Sequence, residues 1–224
     1  MFEQVKYGLK LVKYGLAFKM QIAFSVIFLL FGVFVEFAGR GRNMLGGFYI
    51  VLSAMFIIQL IISLDLSTMV QTSPYKKKLQ TSIPILACTP IMLFAYTVVV
   101  LIRLYYIYLD PAISGDTENR AAVKAGLAAI ILLLFFVSAY MGICFKYFLV
   151  SLIGLMMVVF PISFIFNVPR IFEAIDKIPT AAIVAVGYIL IIAGQCISYL
   201  LTRLTYKKDL SRYAFGAAMK RQNH

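Results

Sequence analysis

Apolar residues fill six long stretches of the chain, and short polar connectors separate them. The stretches cover residues 20–38, 46–66, 83–102, 122–145, 147–166 and 181–201. Each is close to the ~20 residues that a helix needs to cross ~30 Å of hydrocarbon. Membrane strands would alternate in apolarity over segments of about ten residues, whereas these stretches are apolar on every side. The pattern predicts an all-α, polytopic membrane protein with six transmembrane helices.

Composition agrees with a lipid environment. Hydrophobic residues make up 62% of the 224 residues, and charged residues only 13%. A water-soluble domain of this size could not bury so much apolar surface. The surrounding solvent is therefore expected to be lipid.

Connectors with many Lys and Arg residues alternate along the chain with connectors that have few. This alternation predicts the orientation of the chain in the membrane. Six of the nine acidic residues fall on the lightly populated side, together with seven of the 21 basic residues. Because basic residues concentrate on the cytoplasmic side, we expect both termini in the cytoplasm. Arg40 and Arg42, in the first outer connector, run against this trend. The fourteen basic residues on the predicted cytoplasmic side are Lys6, Lys10, Lys13, Lys19, Lys76, Lys77, Lys78, Lys146, Arg203, Lys207, Lys208, Arg212, Lys220 and Arg221.

The two ends of the chain carry different basic patterns. Apolar residues recur at helical spacing near the N-terminus, with lysines beside them, which predicts an amphipathic interfacial (elbow) helix over residues 1–19 rather than a cleavable signal. A simpler interpretation is a basic anchor for the first span, and the two are compatible. Residues 20–201 then form the transmembrane domain, and residues 202–224 form a basic cytoplasmic tail.

Composition and motifs exclude several classes of function. The net charge of +12 comes from residues flanking the spans, where they meet anionic headgroups, so we expect membrane lipids and no nucleic acid as partners. Cys88, Cys144 and Cys196 lie within apolar spans, and His224 is the last residue, so no metal site is expected. The sequence has no phosphate-binding loop, HExxH or GxSxG motif. We therefore predict no catalytic residues, no enzymatic activity in this chain alone, and no cofactor of its own.

Polar side chains interrupt the apolar spans at a few positions. An ionisable residue in a span is a functional hypothesis by default, but near a helix end snorkelling or pairing between helices competes with it. Interhelical hydrogen bonding competes with substrate binding for the uncharged residues. Asp65 lies near the end of the second span. The intramembrane polar or substrate-path candidates are Glu36, Gln59, Ser63, Gln195 and Ser198. Small residues that would allow close approach of helices or of protomers are Ser138, Gly142, Gly187 and Gly194.

The connector between the second and third spans is the longest on the predicted cytoplasmic side. It reads STMVQTSPYKKKLQTS over residues 67–82, and an N-cap serine followed by proline predicts a short helix. Tyr75 and Leu79 share one face of that helix, with three lysines beside them. It is either a basic loop that sets topology or a docking helix for a cytoplasmic protein. The docking candidates are Ser73, Pro74, Tyr75, Lys76, Lys77, Lys78, Leu79 and Gln80.

The layout resembles that of a known family. An elbow helix, six spans, a short helix after the second span, a near-absent loop after the fourth and a basic tail (LTRLTYKKDLSRY, residues 201–213) are similar to ATP-binding-cassette (ABC) exporter permeases of the small six-span bacterial type. The similarity covers the whole chain and rests on layout and on the SPYKKKLQ and YKKDL segments. It is strongest to permeases for amphipathic peptides, such as phenol-soluble modulin exporters or lantibiotic-immunity permeases.

The resemblance implies partners and a mechanism. It implies a homodimer in the bacterial plasma membrane, two separate cytoplasmic ATPase subunits that bind ATP and magnesium, and export of an amphipathic or hydrophobic substrate, above all peptide. Residues 73–80 would be the ATPase-coupling helix, and residues 167–180 would form short extracellular helices. Two other classes stay open: the substrate-binding six-span component of a vitamin uptake system, and a membrane assembly factor without transport.

Overall fold

The structure, a computed structural model, describes residues 18–63, 76–144, 146–165 and 168–207, and this part of the chain is helical with no strand. A 3₁₀ turn covers Met141–Ile143. The α-helices are α1 (Phe18–Ala38), α2 (Leu45–Ile62), α3 (Lys76–Gln80), α4 (Ser82–Leu109), α5 (Pro111–Ser114), α6 (Thr117–Tyr140), α7 (Phe148–Ile165), α8 (Pro169–Asp176) and α9 (Thr180–Thr205).

Five helical segments are long and apolar enough to cross a membrane. They are α1, α2, the run Lys77–Leu109 that contains α4, the run Thr117–Ile143 that contains α6, and α9. The predicted fifth span coincides with α7, whose described apolar part, Leu149–Ile162, belongs to the shorter apolar helices of 10–17 residues. The all-helical fold class is confirmed for the described residues, five segments of which could span a membrane, and six spans stay a prediction. The predicted elbow helix lies outside the described residues except for positions 18 and 19, which open α1.

Several helix ends differ from the predicted spans because local capping decides them. The predicted third span ends at residue 102, but α4 continues to Leu109 and is 28 residues long, about 42 Å. It ends where Asp110 precedes Pro111, since proline disfavours a helical conformation in the residue before it. The predicted fourth span begins at residue 122, but α6 begins at Thr117 because the Asp116 carboxylate caps it. The last helix also extends beyond its predicted end, to Thr205.

The first two helices form an antiparallel hairpin, in which the buried residues of α1 are small or polar. The buried residues of α1 are Gln21, Ser25, Gly32 and Glu36. Ser25 Oγ donates to the carbonyl of Ser53 at 2.9 Å, and a side chain at Gly32 would collide with the α2 backbone. Most of the phenylalanines of α1 instead face outward. Small and polar residues inside with large apolar residues outside is the arrangement expected when the outside is lipid.

The core lies where α4 and α6 pack between α2 and α9. Tyr96 of α4 fits over Gly187 of α9, and its hydroxyl donates to the carbonyl of Val184 at 3.1 Å. Ser138 of α6 faces Gly194 of α9 in the same close manner. The small residues of the sequence therefore do allow close helix approach, here between helices of one chain. Helix α7 packs mainly on α6 and stays peripheral.

Candidate functional site

The two ends of the helical bundle carry different charges. One end, where α3 begins and α9 ends, has exposed or half-buried cations and is called the basic end: Lys19, Lys77, Lys78, Lys146, Arg203 and Lys207. The opposite end, where α4 ends and α6 begins, has every acidic residue of the described ranges: Glu36, Asp110, Asp116, Glu118, Glu173 and Asp176. The asymmetry read from the connectors thus exists between the two ends of the folded bundle.

Helix α3 presents lysines outward and glutamine inward. Lys77 and Lys78 are exposed, Leu79 is half-buried, and Gln80 is 3% exposed. Thr81 alone separates α3 from α4, and its hydroxyl donates to the carbonyl of Lys77 at 2.6 Å. A short helix is therefore present within the predicted docking segment. Its predicted start at Ser73, Pro74 and Tyr75, and hence the Tyr75–Leu79 apolar pair, lies outside the described residues, and for Lys76 the structure describes the backbone alone.

A small cavity lies beneath α3. Its volume of ≈ 10 Å³ accommodates about one water molecule. The buried Gln80 Oε1 has no hydrogen-bond partner among the described residues. The cavity is therefore lined by a hydrogen-bond acceptor that no described residue uses. The lining residues come from α2, α3, α4, the 3₁₀ turn and α9: Ile62, Gln80, Pro84, Ile85, Cys88, Met141, Gly142 and Thr202. The buried Gln80 thus faces a cavity that residues of three apolar helices and of the turn after α6 also line.

The end of α9 is held by lysines from two other segments. Lys146, between α6 and α7, donates from Nζ to the carbonyl of Thr205 at 2.7 Å. Lys77 Nζ lies 5.3 Å from the ring centroid of Tyr206, and Lys207 Nζ lies 6.0 Å from it. The segment after the predicted last span therefore contacts the predicted docking helix, a contact that no sequence pattern predicts.

The predicted intramembrane polar residues do not share one path. Gln59 is exposed on α2, and Ser63 donates to the carbonyl of Leu60 at 2.7 Å. Ser198 accepts from the backbone N–H of Gly142 at 3.1 Å, next to the cavity beneath α3. Gln195 is 4% exposed, and neither polar atom of its amide has a partner among the described residues. Asp65 lies outside the described residues.

Glu36, the remaining candidate, belongs to a buried ion pair that the sequence did not reveal. Arg103 donates to Glu36 Oε1 and to the carbonyl of Asn43, each at 2.8 Å, and to the carbonyl of Val123 at 3.1 Å. Both charged side chains are 0% exposed. The predicted third span ends at residue 102, just before Arg103, whereas α4 continues past this residue and its side chain is buried. The sequence signal that could have revealed this ion pair is an acidic residue and a basic residue placed near the same side of two different predicted spans.

Glycines create the space for this ion pair. A side chain at Gly126 would collide with the Arg103 guanidinium, and one at Gly46 would collide with the backbone of Glu36. Gly41 turns the chain with a φ of 67°, a conformation that glycine adopts without strain. The pair therefore joins α1, α4 and the turn before α2 at one buried point, which is a packing role rather than a ligand site.

A second charged cluster fixes the short helix α8. Arg120 donates to Asp176 Oδ1 from Nε at 3.1 Å and to Oδ2 from Nη2 at 3.0 Å. Lys124 Nζ donates to Asp176 Oδ1 at 3.1 Å and to the carbonyl of Ile178 at 3.2 Å. The hydrogen bond from Arg120, opposed by partial burial, lowers the pKa of Asp176 to about 2. A short helix therefore forms within residues 167–180, the segment expected to contain one.

Fold and site together define a class: a helical, multi-pass membrane protein with a basic end and an exposed short helix. Within the described residues, no group of three or more His, Cys, Asp or Glu side chains is placed to hold a metal ion. No protein-family model, curated protein or solved structure matches the chain. Its function is therefore argued from the residues themselves and from the layout of the sequence.

Proposed function

We propose that the chain is the membrane-spanning subunit of an ABC exporter. Two copies in the bacterial plasma membrane, with both termini in the cytoplasm, would move an amphipathic or hydrophobic substrate outward, above all a peptide. ATP and magnesium would be bound by two separate ATPase subunits. The observation that best supports this proposal is α3, a basic helix with exposed lysines that is joined to α4 through the single residue Thr81 and has Gln80 buried towards the apolar helices.

The contacts of α3 suit a coupling role. Lys78 is exposed and available to a partner protein, and Lys77 is exposed beside the Tyr206 ring, whereas Gln80 and Thr81 are buried. Because one residue separates α3 from α4, a displacement of α3 would be carried directly into a 28-residue helix. Pro90 lies inside α4 and removes a backbone hydrogen bond there, which permits bending. Movement at the basic end could thus tilt the membrane part.

The substrate path would lie between two copies of the chain. The cavity beneath α3 accommodates about one water molecule, so it is far too small for a peptide. Exposed apolar surfaces on α1, α7 and α9 offer candidate walls, and each would also suit contact with lipid. In the family that the chain resembles, a homodimer encloses the substrate path. This resemblance supports the use of the apolar surfaces as walls of such a path.

Charge reversal at α3 tests the proposal. A photo-crosslinker at position 78, in the native host, should link the chain to a protein that carries an ATP-hydrolysing cassette. The Lys77→Glu/Lys78→Glu variant should no longer co-purify with that protein and should lose ATP-dependent peptide export, because two exposed cations of α3 are reversed. The Arg42→Glu/Lys177→Glu variant is the control, since it reverses two exposed cations at the opposite end. Equal export and equal association in the two variants would refute the coupling role.

A further inference from the structure

We infer that the basic end contains a binding site for an anionic phospholipid, with the phosphate held by Lys77 and Lys207 beside Tyr206. The site joins α3 to the end of α9, two segments that are distant in sequence but adjacent in the fold. It does not depend on the proposed ATPase partner. Its ligand class follows from two features, a pair of cations beside one aromatic ring and an apolar strip on α9.

Two ammonium groups converge on one aromatic ring. The Nζ atoms of Lys77 and Lys207 lie 5.3 Å and 6.0 Å from the centroid of the Tyr206 ring. The ring attracts each cation through its negative face. An ammonium group has three N–H donors, so contact with the ring leaves donors for an anion. The two like charges near one ring repel each other, and an anion bound beside them would lower that repulsion.

No carboxylate in the described part of the chain neutralises this cluster. The three ion pairs of the described residues all lie at the opposite end. Lys146 already stabilises the negative, C-terminal end of the α9 dipole, because it donates to the carbonyl of Thr205. Lys77 and Lys207 are therefore not needed to cap that helix. Arg203 adds another exposed cation one turn before Lys207.

An apolar strip adjoins the cluster on α9. Positions three or four apart share a helix face, so the strip lies on the same side as Arg203 and Lys207. Tyr206 combines an apolar ring with a polar hydroxyl, which suits the membrane interface. The exposed apolar residues of the strip are Ile197, Leu200 and Leu204. A phospholipid has an anionic headgroup followed by acyl chains in this same order, whereas a free phosphate lacks the chains.

Thermal stability with added lipid tests the inference. The full chain, fused to a fluorescent protein and purified in detergent, is heated with phosphatidylglycerol or with phosphatidylcholine of the same acyl chains. Phosphatidylglycerol should raise the melting temperature more, because a ligand that binds the native state stabilises it. Lys77→Gln/Lys207→Gln should lose most of that rise. Lys19→Gln/Lys78→Gln, which removes the same charge at the same end, should keep it.

Three further arms separate this site from general charge attraction. Lys77→Arg/Lys207→Arg keeps both cations and should keep the rise, which guards against a general folding defect. Leu204→Ser keeps the cations but interrupts the strip, and it should reduce the rise. Inorganic phosphate should give little rise. Equal stabilisation by both lipids, equal losses in the two glutamine variants, or a rise with inorganic phosphate equal to that with phosphatidylglycerol would overturn the inference.

Discussion

At the scale of single residues, the ion pair between Glu36 and Arg103 is the feature with the largest expected energetic effect. Charges strongly disfavour burial, so a buried pair stabilises little by itself but costs much when one partner is removed. Glu36 Oε2 and Arg103 Nε have no hydrogen-bond partner among the described residues, so the pair is only partly satisfied. Its role is therefore to fix where α1 meets α4 rather than to add much net stability.

Removal of one member of the pair should destabilise the protein. We expect Arg103→Ala to cost about 3–5 kcal/mol, because the Glu36 charge would stay buried without a counterion. The chain has no tryptophan, so the loss is best measured on a fluorescent-protein fusion by size-exclusion chromatography after heating. Glu36→Gln/Arg103→Met should recover part of the loss, since no charge is left in the interior. Arg42→Ala, at an exposed arginine nearby, is the control, and a loss there as large as that in Arg103→Ala would contradict the role of burial.

At the scale of elements, α8 is held by charge in addition to apolar packing, in which Ile175 contacts the core. Its fixed point is Asp176, which receives hydrogen bonds from Arg120 and Lys124 of α6. The bidentate contact with Arg120 has the planar geometry that suits a carboxylate. Because these side chains are partly exposed, we expect a contribution on the order of 1 kcal/mol. Helix α8 should therefore respond to pH, whereas the apolar helix contacts should not.

The pH dependence of Asp176 has a definite sign. Its pKa falls from an ordinary 3.8 to about 2 in the folded protein. The stabilisation is thus fully present above pH ~4 and is lost as the pH falls through about 2. We expect the melting-temperature difference between the native protein and Asp176→Asn to be constant above pH ~5 and to shrink between pH ~4 and 2. Glu173→Gln, at an exposed acid of the same helix, should show a small difference at every pH. A difference for Asp176→Asn that persists undiminished at pH ~2 would exclude the carboxylate as its source.

At the scale of the whole molecule, the distribution of charge defines two ends. Every acidic residue of the described ranges lies at the end opposite to α3, and exposed lysines mark the basic end. Membrane insertion retains basic connectors in the cytoplasm, so this distribution predicts which end faces inward. Helix α4, at about 42 Å, is long enough to connect the two sides.

Labelling of introduced cysteines tests this orientation. In a variant without Cys88, Cys144 and Cys196, a cysteine at position 78 should react with an impermeant thiol reagent only from the cytoplasmic side. A cysteine at Gly115 should react only from outside, because it lies beyond the far end of α4. Both native positions are exposed, so a lack of reaction is not expected from burial. Labelling of both positions from the same side would rule out the topology.

The sequence by itself determined the helical class, the approximate positions of the apolar helices and the separation of charge. These follow from length and composition, because a segment of about 20 apolar residues is stable in lipid only when helical. A short helix before the third apolar stretch was also predictable, from local signals around Lys77.

Only the tertiary structure decided which residues meet. The pairing of Glu36 with Arg103 and the contact of Lys77 with Tyr206 join segments far apart in the chain, and no local pattern encodes such neighbours. The end of α4 also depends on such contacts. A charged residue in a sequence suggests the end of a membrane span, but Arg103 is buried inside α4 because a counterion and two carbonyl groups bind it. Helix propensity depends on residues that are neighbours in the sequence, whereas the burial of a charge depends on partners that only the folded chain brings together.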